Sequence, residues 1–400
     1  MKKIVITGLG VVSPIGNSVE DFKTNLFNGV CGIGKLDFPF KDQNFTFPGA
    51  SVKNFAFDEK KAALLDRFSQ FAVDSAEQAF KDAGLNNLSE EEMLRTGVIS
   101  GTGVGGQSTL EESYLKLLSD SKTVRVHPFT IPKLMANAGS SQICMALGIT
   151  GASFTVASAC ASAIHAMGTA AAFIRSGIAD RVITGGSESC LTFGTLKGWE
   201  ALRVMAPDVC RPFSCDRLGM VLGEGACSLV LETEESAKKR NARIYAEFAG
   251  FGMSSDAKDL TTPDVNGAAR AITNCLKDAS LNASDVDYIN AHGTGTRIND
   301  ITETEAIKKS LGNHAYNISV SSSKSMFGHA LGAAGALEML ATVLSVSENK
   351  AHPTINYLGK DPECDLDYVP NEARDMKINA ALNNSFAFGG LNASVAVKKY

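Results

Sequence analysis

Three side chains in this sequence could act together on an electrophilic carbonyl: the thiol of Cys160 and the imidazoles of His292 and His329. Glycines adjoin both histidines, at Gly293 and Gly328, so the backbone near each ring is accessible. A thiolate is a strong nucleophile, and an imidazole can move or donate a proton near neutral pH. The three residues therefore predict a nucleophile-plus-base site.

The stretch around Cys160 predicts a tight turn between a strand and a helix. Residues 154–156 are apolar or β-branched, and a run of Ala, Ile and Met follows as far as Ile174, closed by Arg175 and Gly177. The helix N-terminus would favour a thiolate, and its free N–H groups could hold an oxyanion. Taken alone, the stretch also fits a buried structural cysteine, because free cysteines are usually buried.

Each histidine is predicted at the end of a secondary-structure element. His292 follows an apolar strand over 286–291, at the edge where α/β sheets bind ligands. His329 is expected near the start of a Gly/Ala-rich helix over 327–347, whose dipole should keep the imidazole neutral. Either histidine alone could be a satisfied structural residue. Their combination with Cys160 favours catalysis.

Alternating strands and helices predict an α/β fold with mostly parallel sheets. A helix is expected over 58–84, two neighbouring strands over 226–232 and 242–250, and a strand–turn–strand over 378–398. The glycine-rich stretch 101–106 could cradle a phosphate, but no Lys-Ser/Thr follows it. Close backbone approach is therefore the preferred explanation.

Composition excludes several function classes. The 400 residues are 44% hydrophobic and carry a net charge of −5, which gives no electrostatic case for nucleic-acid binding. The nine cysteines include no CxxC pair, which indicates neither a disulfide framework nor a zinc site and fits a reducing cytoplasm. The N-terminus predicts a first strand rather than a signal peptide. The apolar run 330–346 contains Glu338 and predicts a buried helix, not a membrane span.

Together the motifs resemble β-ketoacyl-acyl-carrier-protein synthases of the elongating, decarboxylating type, from one end of the chain to the other. The resemblance is carried by the Cys160 turn, Arg211-Pro212-Phe213, Leu222-Gly223-Glu224-Gly225, His292-Gly293-Thr294-Gly295-Thr296, Lys324-Ser325-Met326 with Gly328-His329, and Asn384-Ser385-Phe386. It implies a thiolase-like fold of two similar α/β halves with mostly parallel sheets in a layered arrangement. Residues 1–240 would carry the nucleophile and residues 241–400 both histidines.

The resemblance also implies a role for each matching residue. Cys160 would take an acyl chain from a carrier-protein thioester, and the two histidines would support decarboxylation of a malonyl thioester. Lys324 would support His329, and the N–H groups of Cys160 and Phe388 would form an oxyanion hole. Thr294 and Thr296 would contact the pantetheine arm, and Val104, Met220 and Phe388 would line an acyl pocket. Glu303 and Asn384 would have a structural role near the site. No bound cofactor and no metal are implied, since the phosphopantetheine of the acyl carrier protein delivers the substrates.

Several positions depart from the family pattern, mostly around the predicted entrance. They are Glu200, Ser214, Leu218, Met220, Arg297, Phe327, Ala387 and Leu391. These departures leave open fatty-acid elongation or a specialised polyketide or aryl-polyene pathway. The alternatives are a chain-length-factor-like partner subunit, which the intact Cys160 argues against, and a thiolase, which His329 argues against.

The implied partners are an acyl carrier protein and a second subunit. A homodimer is expected by resemblance, with a heterodimer as the alternative. An acidic carrier protein could dock on the basic residues Lys60, Lys61, Arg67 and Arg125, although Glu200 stands where the family has an arginine.

Overall fold

Secondary structure covers most of the chain in this computed structural model, which describes residues 2–119 and 125–400. In those ranges the strands are β1 (Ile4–Val12), β2 (Gly34–Phe40), β3 (Gln43–Ala50), β4 (Thr96–Gly101), β5 (Ser153–Val156), β6 (Arg181–Glu188), β7 (Leu222–Gly223), β8 (Gly225–Thr233), β9 (Ala246–Ser255), β10 (Tyr288–Asn290), β11 (Ser319–Ser321), β12 (Lys350–Ala351), β13 (Arg374–Asp375), β14 (Ala380–Ala387) and β15 (Leu391–Lys398). The helices are α1 (Val19–Phe27), α2 (Glu59–Ala62), α3 (Arg67–Asp82), α4 (Glu90–Leu94), α5 (Gln107–Ser119), α6 (Thr130–Leu134), α7 (Ala138–Leu147), α8 (Ser162–Ser176), α9 (Phe193–Ala201), α10 (Glu234–Lys239), α11 (Val265–Asp278), α12 (Arg297–Leu311), α13 (Lys324–Phe327) and α14 (Ala334–Glu348).

Ten strands form one mixed sheet in the order β11-β10-β14-β15-β9-β1-β8-β6-β4-β5. Five neighbouring strands come from each half of the chain. If the five strands of each half are numbered in chain order, their order from the outer end of the sheet to its centre is 3-2-4-5-1 in both halves. Pairing is parallel among the three outer strands of each half and antiparallel toward the centre. The predicted α/β class with two similar halves is confirmed.

The carboxyl ends of the outer parallel strands carry the residues singled out for chemistry. In the first half, β5 leads to Cys160, and in the second half β10 leads to His292 and β11 to Lys324 and His329. Because parallel strands end at the same edge of a sheet, each half presents these residues together. The two edges meet, since His329 contacts Cys160.

Helices α8 and α14 pack against each other inside the main hydrophobic core. A Cβ built on Gly335 would lie 2.6 Å from Ile164 Cγ1, so the small residues of α14 are what permit this approach. The segment Leu331–Glu348 is long and apolar enough to cross a membrane by composition, but it is 89% buried within the described fold. The prediction of a buried helix in this region is confirmed.

Three sequence-based expectations about elements are wrong in detail. The helix predicted over 58–84 is two helices, because Asp66 caps a separate α3 through the Phe68 N–H. Strands β8 and β9 are not neighbours, since β1 lies between them and pairs with both. The helix predicted from Phe327 begins at Ala334, because Leu331 has a left-handed φ of 44° and turns the chain.

Candidate active site

Cys160 sits on a constrained turn between β5 and α8, as its local sequence predicts. Ala159 just before it adopts a left-handed φ of 51°, a conformation that is uncommon for residues other than glycine. The Ser162 hydroxyl supports the turn by accepting the Ser158 N–H at 2.9 Å and donating to the Ala159 carbonyl at 2.6 Å. The turn places the sulfur at the start of α8 while leaving it buried.

The electrostatics at the sulfur differ from the sequence expectation. Burial raises the pKa of the Cys160 thiol to about 11, although the Lys324 charge and the backbone N–H groups of Phe388 and Cys160 act to lower it. The resting group is therefore a thiol, because the helix N-terminus does not outweigh desolvation. Both N–H groups nevertheless lie beside the sulfur, close to where the carbonyl oxygen of a bound acyl group would develop negative charge.

His329 contacts the nucleophile directly, with Nε2 3.1 Å from Cys160 Sγ. Its other nitrogen, Nδ1, accepts the Leu331 N–H at 3.1 Å. The ring proton must therefore reside on Nε2, facing the site. Burial and the nearby Lys324 charge hold the pKa of His329 well below its ordinary value, so the imidazole is neutral. His329 lies several residues before α14, so its low pKa comes from burial and the Lys324 charge rather than from the predicted helix dipole.

His292 has the same tautomer for a different reason. Lys324 Nζ lies 3.2 Å from His292 Nδ1 and donates to the His292 carbonyl at 2.6 Å. An ammonium group is only a donor, so Nδ1 accepts and the proton is on Nε2. Burial, with the Lys324 charge, also lowers the pKa of His292 well below its ordinary value. The two imidazole rings lie edge-on with centroids 5.3 Å apart.

The backbone of the His292 loop is held by a buried carboxyl group. Glu303 accepts the N–H groups of His292 at 2.9 Å and Gly293 at 2.7 Å, and Asn384 Nδ2 lies 3.4 Å from it. Burial raises the pKa of Glu303 to about 7, against the opposing backbone N–H groups. Glu303 and Asn384 thus lie behind the site, consistent with the structural role expected for them.

Glu338 is a buried side chain next to the site that the sequence analysis did not assign to it. It is fully buried in α14 and forms an ion pair with Lys324, whose side chain is also fully buried. Glu338 Oε2 has no hydrogen-bond partner among the described residues. The available signal was one acidic residue within an otherwise apolar helix, because such a charge is retained only when paired.

The cavity that opens from Cys160 measures about 630 Å³. It is lined by Cys160 and both histidines together with predicted binding residues Thr294, Thr296, Met220 and Phe388. The two threonine hydroxyls lie 2.9 Å apart. Trp199, which the sequence reasoning did not use, also lines it and packs on Phe388 with ring centroids 5.7 Å apart.

Val104 lies apart from this cavity. Its side chain is 48% exposed on the glycine-rich turn after β4, and it is absent from the cavity lining. In the single chain, Val104 therefore does not line the cavity with Met220 and Phe388, where the sequence analysis places it.

The charged residues near the entrance are arranged differently from the sequence expectation. Glu200 pairs with Lys197 at the surface, while Arg203, three residues later, lines the cavity. An arginine is thus present at the mouth despite the apparent substitution. Arg67, predicted for carrier docking, instead binds the buried Glu224 at 2.8 Å. Lys60, Lys61 and Arg125 are exposed.

The sulfur of Cys160 and one nitrogen from each histidine lie within 4.8 Å of one another, close enough to share a metal ion. Their hydrogen bonds oppose this use. Each Nδ1 accepts a hydrogen bond, so each Nε2 carries a hydrogen and has no free lone pair to offer a metal ion. The donor set suits hydrogen bonding to a developing oxyanion better than metal ligation.

Comparisons with known proteins agree with this arrangement. The family described as "Beta-ketoacyl synthase, N-terminal domain" matches residues 1–237, and "Beta-ketoacyl synthase, C-terminal domain" matches residues 245–358. Nodulation protein E of a Rhizobium species is 45% identical over 401 residues, covering 100% of this chain and 99% of the relative. The 3-oxoacyl-(acyl-carrier-protein) synthase 2 of Synechocystis is 45% identical over 414 residues, covering 100% and 98%. The solved structure titled "The ishigamide ketosynthase/chain length factor" superposes with a TM-score of 0.93 at 35% identity, covering 100% and 99%.

Proposed function

Because the chain belongs to the β-ketoacyl synthase family, we propose that it joins an acyl group held on Cys160 to the two-carbon unit of malonyl-acyl-carrier protein, with loss of CO2. The observation that carries the proposal is the convergence of two neutral Nε2–H donors beside a buried thiol. The product is a β-ketoacyl-carrier protein, in fatty-acid or related polyketide elongation.

The first half-reaction is a thioester exchange at Cys160. Its sulfur attacks the acyl carbonyl, the carbonyl oxygen becomes an oxyanion, and the N–H groups of Cys160 and Phe388 stabilise that charge. The carrier's pantetheine sulfur then leaves and takes up the proton that the Cys160 thiol releases. His329 Nε2–H, at 3.1 Å, stabilises the thiolate while it is unprotonated.

The second half-reaction uses both histidines as donors. When the malonyl carboxylate leaves as CO2, the electron pair of the broken C–C bond moves into an enolate of the thioester. Nε2–H groups of His292 and His329 donate to the enolate oxygen, which stabilises the transition state more than the ground state. The enolate carbon attacks the acyl-Cys160 carbonyl, and the sulfur leaves and is reprotonated from solvent.

The substrates are proposed to arrive on the phosphopantetheine arm of an acyl carrier protein. The Thr294 and Thr296 hydroxyls would contact the arm, and Met220 and Phe388 would border the acyl chain. Exposed Lys60, Lys61, Arg125 and the cavity-lining Arg203 supply the positive charge that an acidic carrier needs. No resident cofactor or metal takes part in these steps.

A dimer is also proposed, with cytoplasmic localisation as expected from the cysteine content. Strand β5 lies at one end of the large sheet and exposes Phe154, while Met145 on α7 and Val104 are exposed in the same half. Among the described residues no strand pairs with the outer edge of β5, and such an edge in a half that exposes apolar side chains suits pairing with a second chain. That chain is proposed to be a second copy, because this chain contains a full set of Cys160, His292 and His329.

The test measures the half-reactions separately on purified protein. Mass spectrometry would follow acyl transfer from acyl-carrier protein to Cys160, and CO2 release would follow malonyl decarboxylation. We expect His292→Ala or His329→Ala to slow decarboxylation by about 10²-fold or more, with a smaller effect on loading. Cys160→Ala should remain folded and lose all loading. Acylation of another cysteine in Cys160→Ala, or unchanged decarboxylation in either histidine variant, would contradict the proposal.

A further inference from the structure

Glu188 is a buried carboxyl group that the proposed chemistry does not use. It is the last residue of β6, and its side chain is inaccessible to solvent. Its two oxygens accept hydrogen bonds from two separate segments: the turn after β4, and the 3-10 turn Leu331–Ala333 that follows His329. The described residues offer it no ion-pair partner. Hydrogen bonding to these two segments is therefore its main stabilisation.

One oxygen of Glu188 bridges the two segments. Oε2 accepts the Gly103 N–H at 2.5 Å and the Gly332 N–H at 3.0 Å. The backbones are close enough that a Cβ built on Gly332 would lie 2.1 Å from the Gly103 nitrogen. Gly332 is therefore held in place by a carboxylate and by the facing backbone together.

Leu331, which directly precedes Gly332, connects this bridge to the His329 ring. Leu331 is held in a left-handed conformation, and its N–H donates to His329 Nδ1 at 3.1 Å. A non-glycine residue in this region is strained, so it persists only where its surroundings fix it. Displacing Gly332 would let Leu331 relax and withdraw the N–H that keeps the His329 proton on Nε2.

The other oxygen holds the turn that carries Val104. Oε1 accepts the Thr102 hydroxyl at 3.0 Å and the Val104 and Gly105 N–H groups at 3.3 and 3.4 Å. One carboxyl group thus contacts both the turn that carries Val104 and the segment that follows His329.

We propose that Glu188 is a positioning residue that fixes the ring orientation and tautomer of His329 through Gly332 and Leu331. The inference rests on the proposed function, because it concerns the half-reaction that requires His329 Nε2–H. It predicts that the Glu188 carboxylate matters more for decarboxylation than for acyl loading.

The experiment compares the full-length protein with Glu188→Gln. An amide has one acceptor oxygen, so its NH2 group must face either the Gly103 and Gly332 N–H groups or the Val104 and Gly105 N–H groups, and those donors lose their acceptor. We expect malonyl decarboxylation to fall by roughly tenfold or more, since small displacements of a catalytic group cost large factors in rate, and loading of Cys160 to fall less than about threefold. Chemical shifts of 15N-labelled histidine should show His329 losing its single Nε2–H tautomer.

Glu232→Gln is the matched control. Glu232 is equally buried in the same sheet but lies at the opposite end of the β6–β8 pair, where it binds Arg240, Thr7 and Ser236. This control should leave the decarboxylation-to-loading ratio unchanged. If Glu188→Gln does not fold, Thr102→Val offers a milder perturbation that removes one donor to Oε1 while the Val104 and Gly105 N–H groups remain, and it should lower the ratio about threefold.

The outcomes separate the two proposals. Wild-type protein that neither loads Cys160 nor decarboxylates malonyl-carrier protein refutes the proposed function. Active wild type with an unchanged ratio and an unchanged His329 tautomer in Glu188→Gln refutes the positioning role alone. A ratio that shifts equally in Glu232→Gln also refutes it, because the effect would then be a general response to losing a buried carboxylate.

Discussion

Removing the buried ammonium of Lys324 should damage stability and activity in separable ways. In Lys324→Met the side chain keeps its length, but Glu338 is left buried without its partner and His292 Nδ1 loses its donor. Breaking a fully buried ion pair from one side typically costs about 3–5 kcal/mol. For 400 residues, with an unfolding entropy of about 2.1 cal/mol/K per residue, this corresponds to a fall in Tm of about 4–6 °C.

The double variant Lys324→Met, Glu338→Leu separates the two effects. Replacing a whole buried pair by apolar residues is often neutral, so most of the lost Tm should return. Decarboxylation should stay about 10²-fold or more below wild type in both variants, because His292 keeps no partner to fix its tautomer. Differential scanning calorimetry and CO2 release measure the two quantities.

Lys238→Met is the control for this comparison. Lys238 lies 3.1 Å from Glu234 in an exposed i,i+4 pair, and its loss should change Tm by under about 1 °C. The reasoning is refuted if Lys324→Met lowers Tm no more than this control. It is equally refuted if the double variant recovers decarboxylation along with stability.

Three further predictions concern the nucleophile, the acyl pocket and the carrier. Because the pKa of Cys160 is raised to about 11, its thiolate fraction should grow about 100-fold between pH 7 and pH 9. The rate of its alkylation by iodoacetamide, followed on the Cys160 peptide, should rise by the same factor, and a plateau near pH 7 would contradict this. Although Val104 lies outside the cavity of the single chain, its predicted place in the acyl pocket can be tested directly. Val104→Phe should reduce use of the longest carrier-bound acyl donors first, since each excluded methylene loses about 0.8 kcal/mol of burial, whereas equal losses at every length would show that Val104 does not line the pocket. Reversing Lys61 and Arg125 to glutamate should raise the carrier-protein KM at low salt, and an unaltered KM would place the docking surface elsewhere.

Local sequence signals were sufficient where one segment determines its own structure. The β-branched residues before Cys160 and the small residues after it predicted the strand, the turn and α8, which ends at Ser176 before Gly177. Gly389 and Gly390, both left-handed, form the predicted turn between β14 and β15. In each case the conformation follows from residue types adjacent in the chain.

Features that depend on distant segments could not be obtained in this way. The pairing of Lys324 with Glu338 joins side chains from two different helices, and the residue after the left-handed Leu331 contacts Glu188 and Gly103, which lie far away in the sequence. The pKa of Cys160 likewise depends on how much protein surrounds the sulfur rather than on its place before a helix. Burial and long-range pairing are properties of the assembled fold.

The repeated 3-2-4-5-1 strand order has a consequence for how this chain came to be built. Corresponding strands lead to different side chains: the third strands, β5 and β11, to Cys160 and Lys324, and the second strands, β4 and β10, to the Val104 turn and His292. Such repetition is what duplication and fusion of one ancestral unit would produce. Structurally matching positions in the two halves carry unrelated chemical groups, so the internal symmetry of the backbone is not a symmetry of the site.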